Sequence, residues 1–349
     1  MKSKLLIAAT FATSLASITP AAAQAQTERV TVMAFNVENF FDNVDDPRMP
    51  NGENAEVINT AEWVAAKGAA IARVIQRFDF GKGPDIIVLP EVESDVALQA
   101  IRTSLDAGGA AYPTAVLVDV DPNRPEPKPD QRGIKVGILS KLAASSEPKS
   151  IAVDLTTEPA CNRQDGSKGV TRDLVQVDLA MPDGSTLTLI GAHLPSGGNP
   201  RICRELGAQA IATAAAHLPS DRVVVAAGDF NFNCAPDERR ALANSLPNWI
   251  LPAELDNGCR GDGSQYFARE NTWSYLDVIT QPPGLAQGQW KMDPRSFQVV
   301  HDDFEQFFWD ENNKVMRPKA FRFNQQNGKG SGVSDHWPIA IDLVKSAAP

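Results

Sequence analysis

The sequence predicts an α/β protein in which two stacked sheets carry helices on their outer sides. Short apolar runs recur along the chain, and several are apolar at every position, as strands buried on both faces are. Longer segments with helical periodicity lie between them. No Pro/Gly/Ser linker or compositional break divides residues 26–349, so one large domain is expected although the length would admit two.

Residues 1–25 read as an export signal: Lys2 and Lys4 form a basic start, 5–18 an apolar stretch, and 20–25 a small-residue region with cleavage expected after Ala23 or Ala25. The stretch is shorter than the ~20 residues that span a bilayer, and no later segment is apolar enough. A periplasmic or secreted protein without stable membrane insertion is therefore expected. Strands are expected at 30–35, 86–89, 112–118, 134–139, 174–179, 187–192, 223–227 and 339–343. Helices are expected at 60–78, with Trp63, Ile71, Val74, Ile75 and Phe78 on one stripe, at 94–105 with Ser94 as N-cap, and at 204–218. The proline-rich run from Asp121 to Pro129 reads as an exposed loop.

Charge narrows the function classes. The leader holds two lysines and no acid, so of 33 basic and 43 acidic residues the mature chain keeps a net charge of −12. A protein that grips nucleic acid mainly by counterion release is usually basic, so any polyanionic substrate must be held by local arginines and a divalent metal. Tight processive binding is not expected. Export also carries Cys161, Cys203, Cys234 and Cys259 to a compartment where disulfides persist. None lies in a Cys-x-x-Cys pair, which speaks against zinc. Of three possible pairings, Cys161 with Cys203 and Cys234 with Cys259 is favoured, because each pair lies on loops flanking the polar clusters described next.

Five short polar clusters stand at the ends of apolar runs: Asn36-Val37-Glu38, Glu91, His193, Gly228-Asp229-Phe230-Asn231 and Ser334-Asp335-His336. Oxygen ligands supplied from separate strands, such as Asn36, Glu38 and Glu91, are what Mg²⁺ requires. Gly228 lets the chain turn at a strand end, Asp229 can orient or deprotonate a nucleophile, and Asn231 can donate to a phosphoryl oxygen; the same tetrapeptide could instead be an Asx turn. Hydrolysing a phosphodiester needs one group to deprotonate water and another to protonate the leaving oxygen, and imidazole suits both. His193 and His336 hold those positions, whereas His217 and His301 need no chemistry to explain them. Asp277 stands where a buried carboxylate could fix a histidine tautomer. Trp273 reads as core rather than as a base-stacking platform. Arg132, Arg172, Arg201 and Arg204 lie beside site-forming segments, and Arg132 and Arg172 are favoured as phosphate clamps.

In order and spacing these clusters resemble the endonuclease/exonuclease/phosphatase superfamily, which contains deoxyribonuclease I, exonuclease III and the neutral sphingomyelinases. The resemblance covers nearly the whole mature chain. It implies a four-layer α/β/β/α sandwich, two mixed sheets flanked by helices, with the site on loops at one end. It further implies that Asn36, Glu38 and Glu91 form the metal side with Asp335 as an additional metal or water ligand, and that Asp229 and Asn231 orient nucleophile and phosphate. His336 would be general base with Asp277 as its partner, and His193 would assist the leaving group; its own acidic partner stays open, with Asp119 and Asp121 as candidates. Cys234 is similar in placement to a disulfide cysteine of deoxyribonuclease I. Residues 278–334 look like an insertion relative to the compact nucleases.

The expected function is an exported, monomeric phosphodiester hydrolase using Mg²⁺, or Mn²⁺ or Ca²⁺ in its place, most simply a nuclease acting on nucleic acid. The alternative is a lipid or small-molecule phosphohydrolase of the sphingomyelinase or inositol-phosphatase type. It shares the catalytic groups, and the acidic balance keeps it open, although no long apolar hairpin for membrane docking is evident. A binding module that kept the fold without turnover is the third class.

Overall fold

The computed structural model describes residues 28–345 except 50–56, 122, 131, 165, 253–258, 260 and 284–289. The expected leader lies outside the described residues. In chain order the elements are β1 (Glu28–Ala34), α1 (Ala61–Arg77), β2 (Ile86–Val92), α2 (Asp95–Ala107), β3 (Thr114–Val116), β4 (Lys135–Ser140), β5 (Lys149–Ile151), β6 (Leu174–Ala180), β7 (Thr186–His193), α3 (Arg201–Ala216), β8 (Val223–Asp229) and α4 (Pro236–Ser245). There follow β9 (Gln265–Phe267), β10 (Thr272–Ser274), β11 (Asp277–Thr280), β12 (Lys291–Val299), β13 (Phe307–Asp310), β14 (Val315–Pro318), β15 (Arg322–Asn324), β16 (Lys329–Ser331) and β17 (Ile339–Lys345).

A six-stranded sheet runs β12-β17-β1-β2-β4-β3 and a five-stranded sheet runs β11-β8-β7-β6-β5. Both are mixed: β1 with β2 and β7 with β8 are parallel, the other neighbours antiparallel. Period-two alternation sorts each strand between two surfaces. Val30, Val32, Ala34, Ile86 and Val88 join the core between the sheets, whereas Met33, Phe35, Ile87 and Leu89 pack with Ile71, Val74 and Ile75 of α1 and Leu98 and Ile101 of α2. The expected two-sheet α/β architecture is what the chain adopts, and all eight expected strands are present. Gly191 allows a close approach of the two sheets: a Cβ there would stand 2.9 Å from Val136 Cγ1 of the opposite sheet.

The helix signals act as read. Thr60 caps α1 by accepting from Trp63 N, and Ser94 caps α2 by accepting from Ala97 N. α3 begins three residues earlier than expected, at Arg201 behind Pro200. Sequence reasoning missed α4, whose polar composition hides it although Pro236 at its first turn and Asp237 and Glu238 behind it are start signals. It also missed β12, which carries Pro294 and a register shift between Asp293 and Gln298, as an edge strand tolerates. The expected insertion is therefore partly framework: β11 and β12 complete the edges of the two sheets, and among the described residues the hairpins β13–β14 and β15–β16 stand outside them. Both favoured disulfides are formed, Cys161–Cys203 and Cys234–Cys259. Among the described residues no helix is long and apolar enough to cross a membrane.

Candidate active site

The reacting groups collect where the ends of β1, β2, β7, β8 and β11 meet across the seam between the sheets. In the second sheet, ladder register alone aligns three of them: His193 is paired with Asp229 across β7–β8, and Asp229 with Asp277 across β8–β11. Gly228 makes this possible, since it adopts φ +139° with a Cβ position only 2.0 Å from Ala192 O, which no other residue could occupy. Past it, Asn231 N donates to Asp229 Oδ1 at 2.9 Å with Asn231 at φ +58°. The Asx turn weighed as an alternative is thus real, and it serves to hold the aspartate.

From the first sheet come Asn36, just beyond β1, and Glu91, within β2. Glu91 adopts φ +73° where the β2–β4 register shifts between Pro90 and Val92. A bulge of this kind re-aims a side chain at the end of a strand. Asn36 Nδ2 donates to Glu91 Oε1 at 3.2 Å and to Asp229 Oδ2 at 2.9 Å, tying the sheets together through one buried amide. His193 Nε2 lies 3.7 Å from both Glu91 Oε1 and Asp229 Oδ2.

His336 Nδ1 is 2.8 Å from Asp277 Oδ2, which also accepts from Ser264 Oγ at 2.7 Å. Ser334 Oγ accepts from His336 N and donates to Asn36 O at 2.7 Å, so the two ends of the described chain meet at the site. Burial disfavours a charged His336, yet Asp277, Asp335 and Asp229 outweigh it and hold the ring well above the usual imidazole range. His193 is the reverse: burial, then Arg172, Arg132 and His336, push it well below that range. Its buried Nδ1 has no hydrogen-bond partner among the described residues. Neither Asp119, which pairs with Arg48, nor Asp121, which accepts from Asn123 N, serves it. Burial and the neighbouring Asp277 raise the carboxyl of Asp229.

Glu38, Glu91 and Asp335 form the acidic side. Burial and then Asp335 raise Glu38, and burial together with Glu91 raises Asp335, as expected of carboxylates facing one another. Glu38 Oε2 accepts from Phe321 N at 2.8 Å, and Glu91 Oε2 from Asn39 N. These bonds leave few free oxygens, and among the described residues no three acid, histidine or cysteine side chains close on one point. A divalent cation that keeps several waters needs only one or two carboxylates from the protein.

Sequence reasoning missed Lys67. Its side chain is buried, at 2% exposure, and its ammonium donates to Glu38 O while lying 5.2 Å from the Trp63 ring, 5.4 Å from Phe321 and 5.9 Å from Phe40. Desolvation pushes it down to about 8 against the pull of Glu38, Glu91 and Asp335. A lysine within a helical stripe beginning at Trp63 was the available signal.

A cleft of about 460 Å³ opens over His193, His336, Asn36, Glu91, Asp229 and Asn231. Arg132 and Arg172 line it, both held by Asp130: Arg172 Nη2 to Asp130 Oδ2 is 2.9 Å and Arg132 Nε to Oδ1 is 3.7 Å. Arg201 and Arg204 instead pair with Asp237 and Glu238 on the α3–α4 side. His217 caps α3 and His301 packs on Phe307 and Trp337. Trp273, expected in the core, is half-buried: it packs in tilted contact with Tyr266 and Trp337 and lines a neighbouring cleft with Phe267 and Leu276.

A family model, Endonuclease/Exonuclease/phosphatase family, matches residues 33–336. The chain belongs to that family, whose members are phosphoester hydrolases that generally use divalent metal ions. No curated protein matches it by sequence. Its fold is similar to that of D. rerio TDP2 complexed with single strand DNA product (TM-score 0.55, 14% identity, covering 90% of this chain and 98% of that one). It is also similar to Sphingomyelinase C from Streptomyces griseocarneus (0.53, 18%, 90% and 99%) and to an endonuclease/exonuclease/phosphatase family protein from Bacteroides thetaiotaomicron (0.52, 15%, 92% and 100%).

Proposed function

We propose that the chain is an exported, divalent-metal-dependent phosphodiester hydrolase acting on nucleic acid. The observation that carries this reading is the gathering of His193, His336, Asp229, Asp277 and Glu91 around one cleft. His336, oriented by Asp277, takes the proton of the attacking water, with Asn231 and Asp229 steering nucleophile and phosphate. His193 gives a proton to the leaving oxygen. Burial and then the arginines depress its basicity in the free protein, and an anionic phosphate beside Nε2 offsets the arginine charges and favours the protonated ring. Arg132 and Arg172 clamp the phosphate.

A divalent cation held by Glu91 and Asp335, with Asn36 and Glu38 about it, would neutralise phosphate charge and oppose the imidazolium form of His336. The two disulfides accord with an oxidising compartment and so with the expected export signal. The solved structure of TDP2 with DNA favours a nucleic-acid substrate, whereas the likeness to a sphingomyelinase supports a lipid phosphodiesterase as second reading.

The test is hydrolysis of bis-p-nitrophenyl phosphate, plasmid DNA and sphingomyelin with Mg²⁺ and with EDTA. Wild-type turnover should require the cation, and Glu91→Gln should raise the cation concentration needed for half-maximal rate. Metal-independent turnover, or none on any of the three, would reject the reading.

A further inference from the structure

One wall of the cleft is basic although the chain as a whole carries −10. Arg132, Arg163 and Arg172 line it together with Asp130. Arg172 is 7% exposed and its buried Nε has no hydrogen-bond partner among the described residues. Arg163 is exposed, on a loop whose backbone is anchored on either side of it. Two residues earlier, Cys161 is bonded to Cys203 of α3. Arg163 N donates to Ser167 O at 2.9 Å, Gly169 N donates to Asn162 Oδ1 at 3.3 Å, and Gly169 lies so close to Cys161 that a Cβ would meet its carbonyl oxygen at 2.5 Å. The wall is on the His193 side of the reaction centre: Pro195, Ser196, Asn199 and Cys203, from the chain that follows His193, line the cleft with it, and the charges of Arg172 and Arg132 bear on His193.

We propose that Arg163, beside the scissile-phosphate clamp of Arg132 and Arg172, forms an anion subsite on the His193 side of the cleft that takes a second phosphate of the substrate, carried by the leaving alcohol. The inference rests on the phosphodiesterase reading and deepens it, because a nucleic-acid strand supplies such a phosphate and the uncharged alcohol released from a phosphocholine lipid does not. Three guanidinium groups around a half-enclosed space exceed what one scissile phosphate needs, and a guanidinium is suited to bind phosphate through paired donors.

Two measurements test it. The first compares kcat/KM on the dinucleotide dTpdT with the same dinucleotide phosphorylated at its 5′ or its 3′ end, the products identifying which oxygen leaves. In the wild type, the phosphate on the leaving nucleoside should raise kcat/KM about tenfold, as one charge-assisted contact of roughly 1.5 kcal/mol implies. In Arg163→Ala that gain should fall to about twofold, and Arg163→Lys should recover part of it. An equal gain in wild type and Arg163→Ala, or no gain at either end, would overturn the subsite even where bis-p-nitrophenyl phosphate is hydrolysed.

The second measurement needs no turnover. Fluorescence anisotropy of fluorescein-labelled oligothymidylate in EDTA should show Arg163→Ala binding several-fold more weakly, with a salt dependence shallower by about one counterion. Equal affinity and equal slope would overturn the proposal whether or not the protein proves to be an enzyme.

Discussion

His336 Nδ1 lies 2.8 Å from Asp277 Oδ2, and the carboxylate is wholly buried where it makes this contact. Asp277 thus both fixes the tautomer and sustains the high proton affinity of the ring. Asp277→Asn should lower kcat by about 10² to 10⁴ with the fold retained. Because the lost carboxylate no longer favours imidazolium, the acidic limb of the rate profile should move to lower pH. A profile whose acidic limb stays in place would show that another group titrates.

Lys67 fills a three-ring cage behind the acidic cradle and donates to Glu38 O, on a turn where Glu38 and Asn39 both have positive φ. Lys67→Ala should cost about 2–5 kcal/mol in urea unfolding, through the emptied cage. Lys67→Met should refill most of that volume and recover stability, yet turn over more slowly because the Glu38 carbonyl loses its donor. Full activity in Lys67→Met would confine Lys67 to packing.

Asp130 holds Arg172 and Arg132. Burial disfavours its charged form, but the guanidinium charges prevail and keep its carboxyl below the ordinary range. A folded-state value below the unfolded one contributes stability above the unfolded value, near pH 4, and that stability is lost as pH falls through the folded-state value. Asp130→Asn should therefore cost about 3 kcal/mol at pH 7, where it strands a buried arginine, and the gap to wild type should narrow below about pH 4. Denaturant titrations at both pH values decide this; a constant gap would contradict it.

The Cys161–Cys203 bond closes a separation of 42 residues. By the chain-entropy relation its removal in Cys161→Ser/Cys203→Ser should destabilise the protein by about 4 kcal/mol. Thermal and urea unfolding of the double variant against wild type measure it.

Much of this was legible in the sequence, for identifiable reasons. Strands buried on both faces advertise themselves as unbroken apolar runs, so the sheets and the clusters at their ends could be read directly. Asp277 and His336, far apart in sequence, could be joined only through family likeness, because the ladder pairing Asp229 with Asp277 leaves no local trace. Lys67 escaped because a lysine on a helix ordinarily faces water. Arg163 escaped because its position depends on a disulfide and a tight loop. The φ of Glu91 follows from a bulge that no residue type announces.

His193, Asp229 and Asp277 lie abreast in one row across three neighbouring strands, whereas Arg163 and its neighbours ride on connections outside the sheet. Chemistry and choice of substrate are consequently built on separable supports. Loops of different charge could therefore change the ester selected while the strands keep the reacting groups in place, and residues 155–172, with Cys161 retained, are where such a graft would be made.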